Sequence, residues 1–193
     1  YLKPWDPDSY WTYDASWAHA GNTPFRLYKQ NQHEGGISSP MIVHWPKGLS
    51  STTGIGTRSL KDGSRVTDQP AHLIDIMATA LELGKASYSE RASTRKVDPL
   101  MGRSLVPIFN GQMRPEHDPL YFHFGTDRAL RKGSWKLVSA KKGAWELYDL
   151  DADRTELHDL SGQHPDKVEA MAKEWFEWAE KVDRLRGEAL APV

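Results

Sequence analysis

The chain is organised around residues 26–40, which read RLYKQNQHEGGISSP and lead directly into the apolar run Met41–Trp45. This stretch places a cation, Lys29, an imidazole, His33, and a carboxylate, Glu34, beside a pair of glycines. Adjacent glycines allow the backbone to adopt positive φ or to approach another group closely. The pattern is typical of a loop that carries polar side chains into a site before the chain enters a sheet. Lys29 and His33 are therefore the first candidates for contact with a ligand.

Composition excludes several classes of function. The 193 residues are 38% hydrophobic and include 8 Trp, which suffices for a sizeable core. The chain has 25 basic and 26 acidic residues, so no overall charge favours a nucleic acid or an anionic membrane as partner. The absence of cysteine excludes disulfides, a cysteine nucleophile and thiolate metal sites within this sequence. Because it begins at Tyr1 in an extended, Pro-containing segment, the chain is interpreted as a processed product or a part of a longer protein.

The first half of the chain has mixed signals. Residues 41–45 predict a short buried strand from their length and β-branching. A glycine-bearing loop with a hairpin around residues 61–63 follows. Apolar residues at helical spacing then predict a helix over 69–83, ended by Gly84. A short helix is expected over Ser104–Phe109, with Ser104 as its N-cap.

The second half predicts a small α+β domain. Short strands at 120–124, 128–131, 135–138 and 145–148 are separated by Gly-bearing turns, which favours an antiparallel meander. A helix over 165–183 carries one apolar stripe that should cover the sheet.

The predicted fold class is therefore α/β followed by α+β. Residues 1–112 form the incomplete α/β part, since they contain too few strands for a doubly wound sheet. Residues 113–193 form the small domain with a four-stranded antiparallel sheet and one long helix, and residues 111–118 are a hinge-like linker.

Few side chains suggest chemistry by themselves. Lys29 offers a compact ammonium that suits a tetrahedral anion, and His33 could donate to an anion or shuttle a proton. Glu34 is either a base or a cap for backbone N–H groups. His123 lies in the middle of a strand, where it either faces a cleft or is half-buried. No histidine pair has metal-ligand spacing, and no phosphate-binding or serine-hydrolase motif is present, so these patterns name no reaction and no metal site.

Several stretches closely resemble the arylsulfatase-type sulfatases of the alkaline phosphatase superfamily. The resemblance extends over nearly the whole chain in family order and departs at Ala78, where the family usually has proline. The matching stretches are residues 22–26, Lys29, 33–40, 43–48, 72–79, 101–105, 128–138 and 145–150.

The resemblance implies the C-terminal portion of a sulfatase. In that family a hydrated formylglycine attacks sulfur, a calcium ion holds the sulfate oxygens, and a histidine helps to release sulfate. The formylglycine motif and the aspartate-rich metal site would lie upstream, so this chain alone should bind neither cofactor and should be inactive. Lys29 matches the family lysine that contacts sulfate. His33 and His123 fall at or near substrate-pocket positions.

The same resemblance implies the partners. These are a sulfated small molecule or carbohydrate and the N-terminal sulfatase portion, in the same or a separate chain; a periplasmic or secreted location fits the family. Two alternatives stay open. One is a relative that hydrolyses phosphate esters or phosphonates, because a lysine suits either tetrahedral anion. The other is a non-catalytic assembly module.

Overall fold

A computed structural model describes residues 14–49, 58–61, 64–89, 91–92, 95–96, 99–117 and 119–183. The chain divides into two compact units: unit 1 combines Tyr1–Met41 with Asp118–Val193, and unit 2 is Ile42–His117. This grouping differs from the expected division after residue 112, because Glu34 is ion-paired to Lys136 in the C-terminal half. The assignment of residues 1–112 to an α/β domain of a larger protein stays a prediction.

The described part of the chain contains short helices, two-residue strand pairs, one larger sheet and one long helix. In chain order they are α1 (Ala15–Asn22), α2 (Glu34–Ile37), β1 (Arg58–Ser59), β2 (Arg65–Val66), α3 (Asp75–Leu83), β3 (Arg91–Ala92), β4 (Arg95–Lys96), α4 (Val106–Phe109), β5 (Leu120–Phe124), β6 (Asp127–Lys132), β7 (Trp135–Ser139), β8 (Glu146–Asp149) and α5 (Pro165–Asp183). Of these helices, none is both long and apolar enough to span a bilayer.

Unit 1 is built on the predicted meander. Its four strands pair in the order β5-β6-β7-β8, and each neighbouring pair is antiparallel. Gly125 and Gly133 occupy the first two turns with φ of +60° and +57°, a conformation that other residues adopt at a cost. The prediction of a four-stranded antiparallel sheet with a C-terminal helix is confirmed.

Helix α5 covers one face of this sheet. Its apolar stripe is buried at Met171, Trp175 and Ala179, and packs against sheet residues that include Leu130 and Leu137. Fully burying a large apolar side chain contributes about 1.5–3 kcal/mol, so this layer supplies much of the stability of unit 1. The opposite face carries a second apolar cluster that includes Val138 and Tyr148. The sheet is therefore buried on both faces.

In unit 2 the main helix begins later than predicted. Helix α3 starts at Asp75 rather than at 69, because Asp75 Oδ2 accepts a hydrogen bond from the backbone N–H of His72 at 2.8 Å and fixes a turn there. Gly84 ends the helix as expected. Helix α4 covers Val106–Phe109, and Ser104 Oγ accepts from the N–H of Val106 at 3.1 Å, although Leu105 occupies the cap position itself.

The predicted strand over 41–45 is wrong. These residues have no regular secondary structure, and Ile42 is 92% exposed. A strand needs neighbouring backbone to pair with, and none of the strands in the described ranges pairs with this segment. Strands β1 and β2 do form an antiparallel pair, as the predicted hairpin requires, but Asp62 and Gly63 of its turn lie outside the described residues.

Candidate functional site

Lys29 lies in a tightly folded segment, residues 26–34, which we call the Lys29 loop. Its side chain is exposed. The flanking residues Leu27 and Gln30 have φ of +63° and +80°, left-handed values that are uncommon for residues other than glycine. Within the described ranges, no carboxylate forms an ion pair with Lys29. The ammonium is therefore accessible to an anion.

The glycine pair allows the loop to fold back on itself. A Cβ on Gly35 would lie 2.2 Å from the carbonyl oxygen of Arg26, and one on Gly36 would lie 2.0 Å from that of Asn31. The N–H of Gly35 donates to the same Arg26 oxygen at 2.9 Å. Any side chain at either position would push the two backbone segments apart, so these glycines serve close backbone approach.

Two asparagines hold the interior of the loop. Asn22 Nδ2 donates to the carbonyl oxygens of Leu27, at 3.1 Å, and Gly35, at 2.8 Å. Asn31 bonds to the carbonyl oxygen of Tyr28 through its backbone N–H at 3.2 Å and through its side-chain amide at 3.0 Å. The backbone on either side of Lys29 is thus held by specific hydrogen bonds.

A buried ion-pair group fastens the end of the loop. Lys136, on β7, is 0% exposed, and its Nζ lies 2.9 Å from Glu34 Oε1 and 2.7 Å from Glu156 Oε1. The backbone N–H of Glu34 donates to Glu156 Oε2 at 2.7 Å. Burial alone would raise the pKa of Glu34, but the charge and hydrogen bond of Lys136 lower it overall. Glu34 is therefore held as a carboxylate between the loop and the sheet.

The start of the loop is fastened through Arg26. Its Nη1 donates to the hydroxyl of Tyr148 and to the carbonyl oxygen of Glu156, both at 2.8 Å, and lies 3.4 Å from Glu146 Oε2. Tyr148 in turn donates its hydroxyl proton to Glu146. Burial and the neighbouring Glu146 raise the pKa of Tyr148, so its hydroxyl remains a proton donor over the physiological range.

His33 belongs to the same loop, but its side chain is buried, with 1% exposed. Its Nε2 is 3.1 Å from Glu146 Oε2, and because a carboxylate only accepts, Nε2 carries the proton. This hydrogen bond is the main cause that lowers the pKa of Glu146 to about 2, against the opposing effect of burial. His33 Nδ1 is buried without a hydrogen-bond partner in the described part of the chain. The contact of His33 with substrate stays a prediction, and the structure gives it a structural partner.

His123 is an exposed residue of β5, where it is paired in register with Arg128. Its ring meets the Trp175 ring edge to face, with centroids 5.4 Å apart, and its Nε2 lies 3.0 Å from the carbonyl oxygen of Gly125. The structure thus brings Lys29 and His33 into one loop and places His123 on the sheet beside α5. Its role in a substrate pocket also stays a prediction.

Sequence reasoning missed the groups that hold the loop: Arg26 as an anchor, Lys136, Glu146, Tyr148 and Glu156. One signal pointed to Lys136. It shares its sheet face with Val138, and a lysine in the centre of a strand whose two faces are both buried must be paired with an acid. The partners could not be identified from sequence, because Glu34 lies 102 residues from Lys136 and 122 residues from Glu156 along the chain.

Comparison with known proteins shows what the chain is similar to. Steryl-sulfatase from Mus musculus is 35% identical over 104 residues, which is 53% of this chain and 14% of that protein. A sulfatase from Formosa agariphila is 28% identical over 105 residues, 53% of this chain and 16% of that protein. The crystal structure of Ps i-CgsB matches with a TM-score of 0.59 and 26% identity over 81% of this chain and 32% of that one.

No family model matches the chain. The chain spans less than a third of the length of each of these relatives, so it corresponds to a part of their fold. Both sequence relatives are sulfatases, which confirms the resemblance drawn from the residue stretches. By sequence and fold, this chain is similar to sulfatases, and the similarity is consistent with the C-terminal portion of one.

Proposed function

We propose that this chain takes part in the hydrolysis of a sulfate ester, to which it contributes Lys29 as a contact to the sulfate group. The observation that supports the proposal is the Lys29 loop itself. An exposed ammonium without a carboxylate partner in the described part of the chain is carried by backbone that hydrogen bonds and ion pairs hold at both ends.

The physical advantage is preorganisation. Negative charge on a sulfuryl or phosphoryl group is stabilised best by cations that are already in place, because no reorganisation is then needed during the reaction. An ammonium acts as a point charge and tolerates any of the equivalent oxygens of a tetrahedral anion. A loop fixed by buried contacts keeps the backbone of Lys29 in place, so that binding an anion orders only the lysine side chain and not the backbone as well.

Calcium and formylglycine, which the family resemblance implies, do not fit residues described here. No group of three or more His, Cys, Asp or Glu in the described ranges could hold a metal ion. The glutamates in and against the Lys29 loop, Glu34, Glu146 and Glu156, are already paired to Lys136 or Arg26. We therefore propose that other residues of the complete protein supply both cofactors.

The substrate partner is proposed as a sulfated small molecule or carbohydrate. His123 is the more accessible of the two candidate pocket histidines, since it is exposed while His33 is 1% exposed. A direct contact of His123 with substrate is therefore part of the proposal, whereas the buried His33 is proposed to position the loop through its hydrogen bond to Glu146.

The test is kinetic and uses the complete protein that carries this chain. Lys29→Ala should lower kcat/KM for 4-nitrophenyl sulfate on the order of 100-fold, the loss expected for one preorganised oxyanion contact. Lys29→Arg should recover part of the rate, because the charge is kept and the geometry is changed. Lys173→Ala, which removes an exposed lysine of α5, is the matched control and should leave kcat/KM unchanged.

A loss below about threefold for Lys29→Ala, less than about 1 kcal/mol, would reject the sulfate contact. The same assay with 4-nitrophenyl phosphate decides between the two anions. A wild-type kcat/KM that is higher for the phosphate than for the sulfate would favour the phosphate-hydrolase alternative.

A further inference from the structure

One residue, Glu156, touches both ends of the Lys29 loop. Its Oε2 accepts the backbone N–H of Glu34 at 2.7 Å, at the end of the loop. Its carbonyl oxygen accepts from Arg26 Nη1 at 2.8 Å, at the start of the loop. Its Oε1 lies 2.7 Å from Lys136 Nζ, which anchors it to β7.

The buried, left-handed position of Glu156 in its turn is energetically unfavourable. Glu156 is 0% exposed, and its φ of +57° is a left-handed value that residues with a side chain adopt only at a cost. A buried carboxylate at a left-handed position persists only when the surrounding contacts determine it. Here those contacts are the two ends of the loop and Lys136.

The turn that carries Glu156 is fixed independently of the loop. Asp153 Oδ2 accepts the N–H groups of Leu157 and His158, both at 2.7 Å, and Asp153 Oδ1 accepts the hydroxyl of Thr155 at 3.0 Å. The N–H of Glu156 itself donates to the carbonyl oxygen of Asp153 at 3.2 Å. The conformation of the turn is thus fixed by its own hydrogen bonds, whereas the position of the Lys29 loop depends on Glu156.

We propose that Glu156 is a positioning residue for Lys29, which holds both ends of the Lys29 loop against the sheet and so fixes where the ammonium meets an anion. This inference rests on the proposed sulfate contact of Lys29. Arg26 and Glu34 alone would leave the two ends attached to different groups. Glu156 joins them to a single residue, with its carboxylate at the end of the loop and its carbonyl oxygen at the start. Loss of the carboxylate should release the end at Glu34 and leave the start held only through Arg26.

The first experiment measures the loop directly, by amide hydrogen exchange in the complete protein. Glu156→Gln keeps the size of the side chain and removes its charge. Exchange at residues 27–31 should rise by about tenfold or more in this variant, while exchange in β5–β8 stays as in the wild type. Glu174→Gln is the matched control, because Glu174 pairs with Lys132 at the surface at 3.0 Å, and it should change neither. Unchanged exchange at residues 27–31 would overturn the proposal.

The second experiment separates positioning from general damage. Glu156→Gln should lower kcat/KM for 4-nitrophenyl sulfate by about tenfold or more in the wild-type background, but by less than about threefold when Lys29→Ala is already present. A merely structural effect would multiply with Lys29→Ala, and full multiplication would overturn the proposal. If Glu156→Gln does not fold, Glu156→Asp, which keeps the charge and shortens the reach, is measured in the same two ways.

These experiments also distinguish this inference from the function on which it rests. A wild-type protein that hydrolyses no sulfate ester refutes the proposed function, and the exchange measurement then still decides whether Glu156 holds the loop. Faster exchange with an unchanged rate in Glu156→Gln refutes the positioning role and leaves the proposed function standing.

Discussion

Units 1 and 2 each contain a periodic apolar helix and a buried carboxylate, but among the described residues the large apolar side chains of the helix are enclosed in a core in unit 1 and largely exposed in unit 2. Trp175 of α5 is 0% exposed. In unit 2, Leu73 just before α3 and Met77 within it are 82% and 56% exposed. The same kind of sequence pattern therefore gives a core helix in one unit and an exposed apolar face in the other. The pattern indicates that a helix has an apolar face, but it does not indicate which segment, if any, packs against that face.

In unit 2, hydrogen bonds converge on Asp75, which is 0% exposed. Its carboxylate accepts from the backbone N–H groups of His72 and Arg103, both at 2.8 Å, from Arg114 Nη2 at 2.9 Å and from His117 Nε2. These contacts join the start of α3 to two later segments. In unit 1 the corresponding buried group is Glu34 with Lys136, and it fastens a loop to a sheet that already has its own core.

The largest expected effect is on the free energy of unfolding, and it should follow from removing the buried ammonium of Lys136 in unit 1. In Lys136→Met, Glu34 and Glu156 would both lose their closest cation while buried, and an uncompensated buried charge typically costs about 3–5 kcal/mol. The free energy of unfolding, measured by urea titration of Trp fluorescence, should fall by that amount. Lys132→Met is the matched control, since it breaks an exposed pair with Glu174 and should cost less than about 1 kcal/mol. Equal losses in the two variants would contradict a central role for Lys136.

Acid should weaken both units, and unit 2 more strongly. The pKa of Asp75 is about 2, because four donors outweigh the opposite effect of its burial, and the pKa of Glu146 is about 2 as well. Both lie below the values of about 3.9 and 4.3 expected in an unfolded chain. Their stabilising contribution is therefore complete above the unfolded pKa values and is lost as the pH falls from about 4 towards 2.

For the fully buried Asp75 the contribution is on the order of 2–3 kcal/mol, whereas the side chain of Glu146 is 31% exposed and solvent screening reduces its share. Hydrogen exchange at several pH values, corrected for the intrinsic rate, measures the two units separately. Asp75→Asn should remove the acid dependence of residues 72–79 and leave β5–β8 as in the wild type. If the acid dependence of exchange at residues 72–79 persists in Asp75→Asn, Asp75 is not the group that makes unit 2 sensitive to acid.

Local signals predicted most of unit 1. Turns at Gly125 and Gly133 and a proline at the start of α5 act over a few residues, so the meander and its helix could be predicted almost to their ends. The helix start at 69 failed because periodicity extends past the point at which a single side chain, that of Asp75, fixes the turn. The strand at 41–45 failed because a strand requires partners, which its own sequence does not contain.

The candidate site shows the same limit more sharply. Lys29 and the glycine pair could be found from sequence, because they are contiguous and resemble a known family. The contacts of Lys136, Glu146 and Glu156 with the loop could not, since His33 or Glu34 lies more than a hundred residues away from each of them along the chain. Residues 111–118, expected to be a hinge-like linker, contain the division between the two units after His117, and they also supply the buried Arg114 that binds Asp75. Charged residues that become buried carry little local signal of their partner.

The smallest effects are expected from glycine substitutions at two residues with left-handed φ, Lys85 of unit 2 and Gln30 of unit 1. Lys85, with φ of +51°, follows the end of α3, where the N–H of Ala86 donates to the carbonyl oxygen of Leu81 at 2.9 Å, a helix ending that normally uses glycine. Lys85→Gly should stabilise unit 2 by about 0.5–1 kcal/mol, because relief of the left-handed strain exceeds the added entropy of the unfolded chain.

Gln30→Gly relieves a φ of +80° by the same argument, but it also lets the backbone beside Lys29 adopt other conformations. Thermal unfolding should therefore show similar small gains for both variants. Hydrogen exchange in the Lys29 loop should rise only for Gln30→Gly, together with a loss of activity on a sulfate ester in the complete protein. If Gln30→Gly leaves loop exchange and activity unchanged, the left-handed backbone at this position serves only to close the loop, and the hydrogen bonds of Asn22 and Asn31 suffice to hold Lys29.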